Sequence, residues 1–154
     1  MTLPTPETTR SILATLLRKN VSVKTSPWLP SGRKVFIGVY TSADGTPDYL
    51  WLLDLPLAAA LASALVMLPR GAAADAVAAQ SLSAELVDNA REVANVCSSS
   101  FSANRVRLTS FLSPNTPLPP ALSQTIEHPG KRLDLSVEVD GYAPGNLCIL
   151  SASR

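Results

Sequence analysis

The sequence predicts an α+β fold, an antiparallel sheet packed with helices, and three observations point there. The hydrophobic period switches between helical and alternating several times along the chain. Two pairs of strand-like runs are each joined by turn chemistry. Helical runs stand between those pairs and do not alternate with single strands, as they would in a parallel α/β sheet. The length of 154 residues, with 46% hydrophobic side chains, is enough to bury one core. No repeat at solenoid spacing interrupts the chain, so residues 1–154 are expected to form one domain.

The elements follow in order. Thr5 is placed as an N-cap, Pro6 at the first helical position and Glu7 in the first turn; Ile12, Leu13, Leu16 and Leu17 then recur at helical spacing, predicting a helix over residues 5–19. Residues 25–32 read as a Pro-rich connection. Val35 to Tyr40 and Tyr49 to Leu55 read as strands, and the Asp44-Gly45-Thr46-Pro47 turn between them predicts a hairpin. Leu57 to Leu68 is a nearly continuous apolar run, expected as a helix buried on most sides. An Ala-rich loop is expected next, then a third helix from about Ser83 to Ser100. Arg105 to Phe111 reads as a strand, followed by a connection studded with Pro114, Pro117, Pro119 and Pro120. Leu133 to Asp140 alternates strictly, the pattern of a strand with one wet face, and Leu147 to Ala152 closes the chain as its partner.

Composition removes several function classes. Thirteen Lys and Arg against twelve Asp and Glu give a net charge of +1, without the clustered cations that nucleic-acid or anionic-membrane binding uses. The longest basic cluster, Lys131-Arg132, reads as a solvated strand entrance. One His, in the His128-Pro129-Gly130 turn, and two distant cysteines, Cys97 and Cys148, are too few for a zinc site made of Cys and His. The apolar stretch from Tyr49 to Leu68 is interrupted by Asp54 and Pro56. Its unbroken part would span roughly 18 Å as a helix, against ~30 Å of hydrocarbon core, so no membrane insertion is expected. The N-terminus has no signal-peptide pattern, and the reading is a soluble cytoplasmic protein with free thiols. Trp28 and Trp51 read as core or interface anchors, and Tyr142 as a partly exposed loop aromatic.

The third helix is the informative one. At 100° per residue Leu82, Leu86, Ala90, Val93 and Cys97 share a stripe that must face the core. Glu85, Asp88, Glu92, Asn95 and Ser99 cluster opposite, within about 80°. Asp88 and Glu92 are like charges at i,i+4, a slightly destabilising spacing. Asn95 is a mediocre helix former in mid-helix. Acids beside an amide on a rigid rod suit a surface that engages a partner, although a merely solvated helix face has the same polarity.

Asp88-x3-Glu92-x2-Asn95, with Pro117 standing 22 residues after the Asn, resembles the signature of the CheC/CheX/FliY chemotaxis phosphatases. The order of elements is similar to that of single-site CheX proteins, and the run Leu57 to Leu68 carries no second such motif. The resemblance implies a cytoplasmic phosphatase acting on the aspartyl phosphate of a CheY-like response regulator. Asn95 would orient the attacking water, Glu92 would pair with the receiver's Lys, and Asp88, Glu85 and Ser99 would contact the partner. It implies no cofactor on this chain, with Mg²⁺ carried by the receiver, and it suggests a homodimer through an exposed sheet edge. The alternative is a CheX-like adaptor that binds a receiver or another signalling partner without catalysis.

Overall fold

The computed structural model describes residues 2–28 and 35–153. Its elements are α1 (Pro6–Leu17), β1 (Val21–Thr25), β2 (Val35–Thr41), β3 (Pro47–Asp54), α2 (Leu55–Leu65), α3 (Arg70–Ala79) and α4 (Ala84–Val96). A 3₁₀ segment (Cys97–Asn104) leads on to β4 (Arg107–Leu112), α5 (Pro120–Glu127), β5 (Lys131–Val139) and β6 (Gly145–Ser151). The six strands form one sheet in the order β1-β5-β6-β3-β2-β4, and every neighbouring pair is antiparallel. Both expected hairpins are present, β2–β3 and β5–β6. The fold class is the one predicted.

Alternation along the strands divides the core between the two sheet faces. Phe36, Tyr40, Tyr49, Trp51, Leu53, Leu135, Val137, Leu147 and Ile149 point to the face covered by α1, α2 and α4. Val35, Ile37, Val39, Leu50, Leu52, Cys148 and Leu150 point the other way, under Leu122 and Ile126 of α5. β2 and β3 are thus apolar without alternation because both their faces are covered. β5 keeps a wetter face at Asp134, Ser136 and Glu138, as its alternation requires.

α2 lies at the centre. Asp54 caps it, its carboxylate accepting from Leu57 N at 3.0 Å and from Asn146 N and Nδ2 at 3.1 and 2.9 Å. One side chain therefore ties the helix start to β6. Leu57 to Ala64 are buried throughout, as the apolar run predicted.

Several expectations need correction. The helix expected over Leu57–Leu68 ends at Leu65, and Val66, Met67 and Leu68 are exposed. The supposed Ala-rich loop is α3: alanines on every side give no hydrophobic stripe to read, but Ala is the strongest helix former. Part of the proline-studded connection is α5, where Pro120 occupies the first turn and so starts the helix instead of breaking it. β1 falls where the sequence pattern predicts no element, apart from Thr25 at the start of the Pro-rich connection; its five residues become a strand by pairing with β5, Val21 opposite Val139 and Thr25 opposite Leu135. The third predicted helix leaves α geometry at Val96 and continues as the 3₁₀ segment. Residues 29–32 of the predicted Pro-rich connection, with Arg33 and Lys34 that follow it, lie outside the described residues.

Candidate functional site

α4 is built to hold one face still and leave the other open. Ser83 caps it, its hydroxyl accepting from Leu86 N at 3.2 Å, and Glu85 in the first turn complements the helix dipole. Ala90, Val93, Ala94 and Cys97 are sealed, at most 1% exposed. Leu82 and Leu86 pack against Ala59 of α2 and Ala73 and Ala76 of α3, so α3 braces the start of α4.

The opposite face carries the polar ridge. Glu85, Asp88, Glu92 and Asn95 are all exposed on α4, and Ser99 is exposed on the 3₁₀ segment. Asp88, Glu92 and Asn95 lie at i, i+4 and i+7, along one side of the rod. Among the described residues the ion pairs are Glu7–Arg10 and Arg132–Asp134, and neither involves α4. Among the described residues no hydrogen bond occupies the side chains of Glu92 or Asn95. Ser99 differs, because its hydroxyl donates to Val96 O at 3.0 Å and is turned toward the backbone. Pro117 is exposed in the connection between β4 and α5.

The C-terminal half of the ridge rests on an aromatic platform that the sequence pattern did not reveal. The Tyr40 hydroxyl donates to Ala94 O at 2.8 Å in the buried interior. It therefore grips the backbone one residue before Asn95, at a helix end whose carbonyls lack intrahelical donors. Burial, and secondarily the Cys97 thiol, push Tyr40 well above the ordinary phenol range, so the hydroxyl keeps the proton it donates. Tyr40 also meets Trp51 edge-on, with centroids 6.3 Å apart, and tilts against Phe101 at 4.7 Å. Phe101 stacks on Tyr49 at 4.3 Å. These contacts pin the 3₁₀ segment at Phe101, where φ −99° and ψ 36° break the helix.

Other reactive groups lie away from the ridge. Cys97 and Cys148 are free and buried; burial pushes each thiol up to about 12, which leaves them inert at neutral pH. Among the described residues no three His, Cys, Asp or Glu side chains are grouped to hold a metal ion. Chemically, the ridge offers carboxylate acceptors and one carboxamide that can donate and accept at once.

Neither a protein-family model nor a curated protein sequence matches the chain. Solved structures do. The FliM middle domain of Helicobacter pylori superposes with a TM-score of 0.60 at 11% identity, covering 96% of this chain and 84% of that one. CheX of Borrelia burgdorferi, in its complex with CheY, BeF₃ and Mg²⁺, gives 0.56 at 14% identity over 94% of this chain and 92% of that one. Thermotoga maritima FliY gives 0.53 at 13% identity, covering 94% and 82%. At these identities the likeness is one of architecture, and it spans nearly the whole chain. The chain therefore has the fold shared by CheX, FliY and the FliM middle domain.

Proposed function

We propose that this protein is a phosphatase that removes the aspartyl phosphate from the receiver domain of a CheY-like response regulator. The observation that carries the reading is the pair Glu92 and Asn95, exposed one turn apart on α4, without partners among the described residues, above a sealed face. In the proposed reaction α4 docks over the receiver's phosphorylated aspartate. The Asn95 carboxamide accepts from and donates to a water, aligning its oxygen with phosphorus. The new P–O bond forms as the bond to the aspartyl oxygen breaks, giving inorganic phosphate and a free carboxylate. Phosphoryl transfer of this kind passes through a loose transition state, so positioning and charge do most of the work and a group without a useful pKa can suffice. Glu92 pairs with a cation on the receiver and sets the register, while Asp88, Glu85 and Ser99 extend the contact. Mg²⁺ belongs to the receiver.

The test is release of phosphate from Mg²⁺-loaded receiver charged by acetyl phosphate. Asn95→Ala should slow hydrolysis by about 100-fold, the scale of a lost positioning contact, while leaving binding to receiver near wild type. Glu92→Lys should abolish binding. Hydrolysis unchanged in Asn95→Ala would remove the reading.

The likeness to a FliM middle domain as well as to CheX favours a second reading, a non-catalytic adaptor that uses the same ridge to hold a receiver or another signalling partner. It predicts receiver binding that Glu92→Lys abolishes, with no acceleration of dephosphorylation by the wild type. A homodimer through β1 or β4, the two edges of the sheet, is compatible with either reading.

A further inference from the structure

We propose that the groove around Tyr142 docks an acidic amphipathic segment of a partner protein. Val66, Met67 and Leu68, three consecutive residues after α2, are 45%, 84% and 38% exposed. A run of exposed apolar residues is costly unless something covers it. Their exposure is fixed by the backbone. Met67 holds a φ of 62°, uncommon for its residue type. Met67 N donates to Ala64 O at 3.1 Å and Leu68 N to Ser63 O at 2.9 Å. From the β5–β6 turn the Tyr142 hydroxyl donates to Leu68 O, strapping the two segments together.

Two clefts meet there. One, of about 600 Å³, lies between the ends of α1 and α2; the other, of about 890 Å³, lies along α2 and α3; they share Arg70, Gly141 and Tyr142. The second is walled by alanines of α2 and α3, whose small side chains let a helix backbone approach closely. Charge selects the occupant. Arg18, Lys19 and Arg70 line the first cleft, and among the described residues no carboxylate lines either. None of the three cations belongs to the ion pairs found among the described residues, and Lys19 instead lies 5.9 Å from the centre of the Tyr142 ring. The fitting occupant supplies an apolar stripe for the alanine wall and carboxylates for the cations. The surface is concave, which suits a helix more than a bilayer. None of its lining residues comes from α4, so the groove is a second interface.

The probe is a fluorescent helical peptide of about 14 residues, four turns, with Leu along one stripe and Glu elsewhere. Its twin carries Lys in place of Glu. Titrated with the full chain, the acidic peptide should bind at about 10 µM and the Lys peptide should not. Met67→Glu, and separately the Lys19→Glu/Arg70→Glu pair, should each weaken binding by at least about 10-fold, with circular dichroism confirming the fold. Asn95→Ala should leave peptide binding unchanged, which separates this surface from the phosphatase reading. Absence of acidic-peptide binding, or equal binding of both peptides, overturns the proposal. So does binding to about 3:1 phosphatidylcholine–phosphatidylglycerol vesicles without peptide binding, which would assign a membrane. A dimer that forms without peptide and is lost in Met67→Glu would overturn it in favour of a second copy.

Discussion

Gly145 leaves no room for a side chain. A Cβ there would lie 2.5 Å from both the backbone nitrogen and the Cβ of Leu57, because the start of β6 runs directly against the first turn of α2. Gly145→Ala should therefore cost about 1–3 kcal/mol, the usual range for forced overpacking, read as a shift in the urea midpoint. A shift near zero would mean that the α2–β6 contact is looser than described. The cysteines make a second residue-scale prediction. Their thiols are raised from 9.0 to about 12, chiefly because burial disfavours the thiolate. The unfolded chain thus loses these protons first. Their contribution to stability is whole below pH 9.0 and falls away as pH rises toward about 12. The melting temperature should decline over that window, and less so in a Cys97→Ser variant. In native protein both thiols should resist a thiol reagent that modifies the urea-unfolded chain quickly.

At the scale of the element, α4 is a helix whose two ends are fixed by different means. Its start depends on a local cap, so Ser83→Ala should cost about 1 kcal/mol in unfolding free energy. Its end depends on a distant strand through the Tyr40 hydroxyl and Ala94 O. Tyr40→Phe keeps the ring packing but leaves a buried carbonyl unpaired, for about 1–3 kcal/mol. If Asn95 acts as proposed, Tyr40→Phe should also lower the hydrolytic rate at saturating receiver while leaving receiver affinity near wild type, whereas Ser83→Ala should lower stability alone. Equal rates in wild type and Tyr40→Phe would show that the grip on Ala94 does not position Asn95. The Ser83 cap is written in adjacent residues and was legible from sequence. The Tyr40 grip joins positions 54 residues apart, and nothing in the local pattern marks it.

Across the whole molecule the sheet sets a gradient of protection. β6 and β3 are central in the order β1-β5-β6-β3-β2-β4 and are covered on both faces, whereas β1 and β4 are edges. Amide exchange should be slowest in β3 and β6 and fastest in α3, α5 and the two edge strands, as regions with fewer buried contacts open at lower free energy. Exchange of β3 ahead of β4 would contradict this architecture.

By itself the sequence determined the elements whose chemistry is local and periodic: the capped helix α1, the two hairpins, the buried core of α2 and the two-faced α4 with Glu92 and Asn95 on its wet side. Each follows from side chains three, four or two positions apart. Tertiary structure alone decided the rest. β1 is a strand because β5 pairs with it, and α3 packs its Ala73 and Ala76 against Leu82 and Leu86 though no stripe announces it. Val66 to Leu68 are left in water because the chain turns at Met67. The physical reason is common to all three: hydrogen-bond pairing, burial and exposure depend on what lies across the fold, and short or uniformly apolar segments carry no period from which to infer it.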